Sequence, residues 1–156
     1  MTTAGAIRET RNVSYELEVP ISAPADRVWK ALFAEIHTWW LPDFHMAGPD
    51  SVITFEPRAG GQLLETRGED SLLWCSVHMI LNSQRTVYLV GNLAPDWGGP
   101  STSCLKIQVE ETADGCVLKA HDSHFGHVDD TNIKNMEEGW MALFSDGLKK
   151  HVEGSC

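Results

Sequence analysis

The stretch HDSHFGH puts His121, Asp122, His124 and His127 within seven residues. An aspartate and a histidine within hydrogen-bond reach can move protons, and several histidines together can hold a metal. Which of these is open to the chain depends on which faces the side chains take. Asp114-Gly115 is a strong two-residue hairpin signal, because both residue types tolerate positive φ. With that loop Ala113 faces Cys116, and Glu110 faces Lys119 as an opposite-charge pair. Val109 then meets Ala120, Ile107 meets Asp122, and Leu105 meets His124. Asp122 and His124 thus share the apolar face with Leu105, Ile107, Val109, Leu118 and Ala120, while His121 points away. The split argues against a three-histidine metal site, and it separates Cys104 from Cys116, so both are expected as free thiols. A slip of register would undo the reading.

Other chemistries leave no mark. There is no nucleophile motif, Walker loop, dinucleotide fingerprint or zinc spacing, and no metal or cofactor is expected. Gly60-Gly61 is a turn with no helix following it, and Glu137-Glu138 reads as a solvated helix face. Twelve Lys and Arg against 22 Asp and Glu leave a net charge of −10. That field repels phosphate backbones and anionic lipids, so nucleic acid is not an expected partner. No apolar run reaches the roughly 20 residues of a membrane span. The four cysteines show no CxxC, and the polar N-terminus lacks the profile of a secretory signal, so a reduced, cytoplasmic setting is the economical expectation.

The elements that must position these groups follow from periodicity. Residues 1–12 read as a flexible lead-in, and residues 13–153 as one domain of ordinary size. Tyr15, Leu17, Val19 and Ile21 alternate with polar residues as a half-buried strand. Ser22 to Asp26 carries helix-start chemistry, and Val28, Trp29, Leu32 and Phe33 form a short amphipathic helix. A second turn spans Glu35 to Trp40. Strands follow at 52–56, 62–66, 72–81, 86–93, 103–111 and 117–124, with turn residues between them. From about Thr131 to Val152 the period becomes helical, with Ile133, Met136, Trp140, Leu143, Phe144 and Leu148 on one face. Gly139 and Gly147 lie inside that helix at a cost of about 1 kcal/mol each relative to Ala, which implies close approach by the sheet or a ligand. The order predicts an α+β architecture, one antiparallel sheet wrapped on a long C-terminal helix with two short helices.

Four segments carry a resemblance. ISAPADRVW (Ile21 to Trp29), Thr38-Trp39-Trp40, Gly60-Gly61-Gln62-Leu63 and Gly139-Trp140-Met141-Ala142-Leu143 resemble, in order and spacing, landmarks of the SRPBCC or START-like superfamily. The branch they are most similar to is that of activator of heat-shock-protein ATPase homologues. Asn82-Ser83 departs from the pattern, standing where many relatives carry a proline pair. The resemblance implies a helix-grip fold with an apolar pocket between sheet and C-terminal helix. It implies that Trp39 and Trp40, with Phe44, lie at the pocket entrance. It also implies that Trp74, Ser76, His78 and Ile80 share the inner face with Val87, Leu89 and Leu93. The implied ligand-binding set is then Trp39, Trp40, Phe44, Trp74, His78, Leu89, Ile107, Asp122, His124, Met136, Trp140 and Phe144. A few polar groups among aromatic walls suit a small hydrophobic or aromatic ligand. A polyketide cyclase or aromatase-like enzyme would use His78 or Asp122 as acid or base, without metal. A co-chaperone-like interaction domain would have a filled interior. The oligomeric state, monomer or homodimer, is left open.

Overall fold

The computed structural model describes residues 4–154. The first three residues of the expected lead-in, and Cys156, lie outside the described residues. In chain order come β1 (Arg11–Ile21), α1 (Ala25–Ala34), α2 (Ile36–Trp39), β2 (Val52–Phe55), β3 (Gln62–Arg67), β4 (Asp70–Leu81), β5 (Thr86–Leu93), β6 (Ser101–Thr112) and β7 (Gly115–Gly126). A continuous helix closes the chain: α3 (Asp130–Ala142), a wider π-helical stretch (Leu143–Lys149) and α4 (Lys150–Gly154). The seven strands form one antiparallel sheet in the order β1-β7-β6-β5-β4-β3-β2. This is the helix-grip arrangement the sequence predicts.

Alternation builds the inner face. In β1, Leu17, Val19 and Ile21 are buried while Glu16, Glu18 and Pro20 are exposed. Leu105, Ile107, Val109, Leu118 and Ala120 extend that face across β6 and β7. The β6–β7 register differs from expectation by two residues. Thr112 pairs with Gly115, so the loop is Ala113-Asp114, and Leu105 faces Asp122 while Ser103 faces His124. Gly115 has φ +147, and a Cβ there would meet the Ile21 carbonyl oxygen at 2.4 Å. The residue just after the two-residue loop, rather than one within it, therefore requires glycine. Because the slip is even, every side chain keeps its face. Glu110 and Lys119 still pair at 2.9 Å, now diagonally.

In β4 the expected face survives at its ends, where Trp74 and Ile80 pack against the core, but not between them. One extra residue, Trp74, is inserted between the partners of Leu63 and Leu64, and a second, His78, between those of Leu89 and Tyr88. Each bulge reverses the alternation. Trp74, Cys75 and Val77 therefore sit on the core side, while His78 and Met79 are exposed. His78 is thus no inner-face group and no candidate acid or base in an apolar cavity.

The closing helix grips unevenly. None of the 13 residues of α3 is buried, whereas Leu143, Phe144, Gly147 and Leu148 of the π stretch and Val152 of α4 are. The helix is held mainly at its C-terminal half, and its N-terminal half meets the sheet chiefly along the edge strand β1. Gly139 and Gly147 do mark close approach, by the Phe44 ring and the Trp39 backbone rather than by the sheet. A Cβ on Gly147 would lie 2.5 Å from the Trp39 carbonyl oxygen, a backbone atom that cannot yield, and one on Gly139 would lie 3.3 Å from the edge of the Phe44 ring. Gly147→Ala should destabilise by about 1–3 kcal/mol despite the better helix propensity of alanine. Gly139→Ala, where a side chain can swing aside, should be neutral or slightly stabilising. Thermal melts that rank the two variants the other way would overturn this account.

The three described cysteines are free: Cys75 and Cys116 are buried and Cys104 is exposed on the outer side of β6. Burial, then the nearby Asp122 charge, pushes the Cys75 thiol up to about 12. Alkylation of the native protein should label Cys104 quickly and leave Cys75 and Cys116 untouched until unfolding. Equal labelling of Cys75 and Cys104, mapped by mass spectrometry, would contradict the packing.

Candidate functional site

Where α3 stands off the sheet, a cleft of about 280 Å³ opens. Its body is aromatic and apolar. Phe44 enters from the turn after α2, Trp74 from the first bulge of β4, Trp97 from the loop after β5, and Met136, Trp140 and Leu143 from the long helix. Its polar wall holds Ser103, His124, Asn132 and Asn135. A second hollow of about 490 Å³ lies on the other flank of α3. It is more open, and rimmed by Lys134, Glu137, Glu138 and Asp146 rather than by aromatics.

Trp40 is the floor under the aromatic wall. It is buried, donates its indole N–H to the Phe44 carbonyl at 2.9 Å, and meets Trp74 edge-on at 5.3 Å and Trp140 at 6.4 Å between ring centres. Trp140 in turn stacks on the fully buried Phe144 at 5.5 Å. Edge-to-face and offset rings of this kind fix one another's orientation beyond what burial alone achieves. Trp39 is not an entrance residue. It is core, donating its N–H to the Ala31 carbonyl at 2.8 Å. Leu89 and Ile107 are likewise core behind the cleft, and only Phe44, Trp74, His124, Met136 and Trp140 of the expected set reach its surface.

Trp74 is aimed by a carboxylate the sequence reading missed. Glu65 on β3 is wholly buried and accepts from the Trp74 indole at 3.0 Å, the Ala47 amide at 2.6 Å and the Ser51 hydroxyl at 2.7 Å. Burial raises its pKa, but these bonds, with the Met46 amide, outweigh it and hold the carboxyl below the usual range. Opposite the bulge, Gly91 leaves room: a Cβ there would meet the Trp74 carbonyl oxygen at 2.7 Å. The alternation of Leu63 with Glu65 is the signal that could have revealed an inward carboxylate.

The polar wall is backed by a three-residue network. Asp122 Oδ2 accepts from the Tyr15 hydroxyl at 2.6 Å and lies 2.8 Å from His124 Nε2. Tyr15 comes from β1, directly across from Asp122. Burial, then the Asp122 charge and hydrogen bond, holds the Tyr15 phenol far above the usual tyrosine range, so it stays a donor. Asp122 and His124 are both buried, and Asp122 Oδ1 and His124 Nδ1 have no hydrogen-bond partner among the described residues. The sequence placed Asp122 and His124 together on the inner face. It gave no hint of Tyr15, because β1 joins β7 across more than 90 residues of chain. Asp122 does not itself line the cleft; it reaches it through His124. Among the described residues no three His, Cys, Asp or Glu side chains gather as a metal site. No helix among them is long and apolar enough to cross a membrane.

The family model for Activator of Hsp90 ATPase homolog 1-like protein matches residues 22–153. No curated protein matches the sequence significantly. Among solved structures, a Mesorhizobium loti protein is 19% identical, with a TM-score of 0.67 over 92% of this chain and 99% of its own. Ara h 8.0201 is 11% identical, with a TM-score of 0.69 over 93% of this chain and 100% of its own. Norcoclaurine synthase from Thalictrum flavum, solved with dopamine and hydroxybenzaldehyde, is 20% identical, with a TM-score of 0.58 over 95% of this chain and 89% of its own. At these identities the likeness is one of fold.

Proposed function

We propose that this chain, which belongs to the family of Activator of Hsp90 ATPase homolog 1-like proteins, binds a small aromatic molecule in the cleft between α3 and the sheet. The observation that carries the reading is the aromatic-walled cleft of about 280 Å³ beside a helix segment that buries none of its residues. Pockets for drug-sized ligands commonly run from roughly 300 to 1,000 Å³, so one or two rings is the size that fits. Burying them contributes roughly 25 cal/mol per Å² of apolar surface, less the cost of ordering ligand and side chains. The same cleft weighs against a co-chaperone-like domain with a filled interior.

A second reading rests on the Asp122–His124 contact at 2.8 Å, an arrangement suited to acid–base work of the cyclase or dehydratase kind. The chain shares its fold with norcoclaurine synthase, which was solved with two small aromatic compounds. Of the two candidates for such a role, His78 lies outside the cleft, and Asp122 acts only through His124. Binding is therefore the simpler reading. The domain is proposed to span residues 13–153, to act without a metal or cofactor, as a monomer or homodimer, and in the cytoplasm. Native mass spectrometry of freshly purified protein tests the reading. A co-purifying compound of a few hundred daltons, lost on mild unfolding, supports it. A bare chain that also ignores a panel of one- and two-ring aromatics sinks it.

A further inference from the structure

The apolar walls of the cleft select for aromatic character, and they say nothing about functional groups. The network behind His124 does. Asp122 Oδ2 is the acceptor for the Tyr15 hydroxyl at 2.6 Å and the partner of His124 Nε2 at 2.8 Å. With Asp122 ionised, Nε2 carries the proton and donates it. In a neutral imidazole the other nitrogen is then an acceptor. His124 lines the cleft, and its Nδ1 is buried without a partner among the described residues. A buried acceptor left unpaired is costly, and a ligand donor that reaches it gains accordingly.

We propose that the cleft is specific for aromatic compounds that carry a hydroxyl, with the hydroxyl donating to His124 Nδ1. The inference rests on the aromatic-binding reading above and adds the functional group to it. Three features of the molecule favour a donor over an acceptor. The Asp122 carboxylate fixes the imidazole tautomer. Tyr15 donates to the same carboxylate oxygen, Asp122 Oδ2, and Nε2–H is that oxygen's second donor. No lysine or arginine lines the cleft to take up an anionic ligand. A phenolic O–H is a strong donor on a flat body of the size the cleft admits. Nδ1 is covered in this structure, so the hydroxyl must displace the side chains that roof it. The α3 half of the helix, with no buried residue, is the part able to give.

The test compares two ligands in the unaltered protein, so that it does not depend on any variant folding. A naphthol and its methyl ether present the same rings, but the ether has no proton to donate. Following quenching of the cleft tryptophans, the naphthol should bind about ten-fold or more tightly than the ether. In His124→Phe, which keeps a ring and removes Nδ1, the preference should shrink to about two-fold or less. Equal binding of naphthol and ether to the parent overturns the hydroxyl inference and leaves the aromatic-binding reading standing. A folded His124→Phe protein that keeps the full preference also overturns it. Failure of both compounds to bind sinks the aromatic-binding reading, and this inference with it.

Discussion

Replacing Glu65 with leucine should destabilise the protein by about 3 kcal/mol or more and loosen the Trp74 wall of the cleft. The carboxylate is wholly buried with no cation beside it among the described residues; besides the Met46 amide, three donors hold it, from the Ala47 amide, the Ser51 hydroxyl and the Trp74 indole. An apolar replacement leaves all three donors buried and unpaired, at about 1–3 kcal/mol each where they cannot reach water. The usual remedy for a buried charge, swapping the whole polar set for apolar residues, is closed here because the Ala47 donor is backbone. Glu65→Gln keeps an acceptor oxygen but turns its amide NH2 toward one donor, so its loss should be smaller, on the order of 1–2 kcal/mol. The two variants also differ in their response to pH. The folded carboxyl lies below its ordinary range, so the stability it contributes is present above the unfolded value of about 4.3 and is lost as pH falls through the folded value. Urea melts between about pH 3 and pH 7 should show a shallower acid limb in Glu65→Gln than in the parent. A leucine variant as stable as the parent would mean that water, not the protein, satisfies these donors.

The glutamate shows where sequence reading stops. Gln62 to Thr66 alternates well enough to be read as a strand, and alternation places Glu65 on the face of Leu63. Nothing local says that the loop around Ala47 and Ser51 will fold back to supply donors. The β6–β7 hairpin was legible for the opposite reason. Its face depends on parity alone, so a one-residue error in the loop, which shifts the pairing by two, left Asp122 and His124 inside and His121 outside. Parity failed in β4, where each bulge adds one residue and reverses the faces beyond it. Bulges are set by the partners across the sheet, here the short β3 and the glycine at position 91, and no periodicity within β4 announces them. That is why Trp74 reached the cleft while His78 did not. The long helix was legible from its stripe, but its uneven grip was not. Ile133, Met136 and Trp140 continue the apolar spacing of Leu143, Phe144 and Leu148, and only the sheet's retreat leaves them half-exposed.

Truncating Trp140 to alanine should abolish binding of an apolar fluorescent probe while the protein stays folded. The side chain is only partly buried, packing its ring on Phe144 at 5.5 Å and against Trp40 at 6.4 Å while its open face lines the cleft. Its loss should therefore fall short of the about 3–5 kcal/mol of a fully buried aromatic. A domain with a typical margin of about 5–15 kcal/mol survives that. Loss of the wall removes the ring that spans cleft and core, so affinity should drop by about a hundred-fold or more, the equivalent of roughly 3 kcal/mol. Trp140→Phe separates the two roles. It keeps the stack on Phe144 and most of the volume, so it should melt within about 1.5 kcal/mol of the parent. The probe, however, would meet a smaller face, with weaker binding and less tryptophan quenching. Probe titrations run beside thermal melts decide the matter. A folded Phe variant that binds as tightly as the parent would assign Trp140 to the core alone. The cleft would then have to be drawn around Phe44, Trp74 and Met136, with the helix contributing shape but no contact.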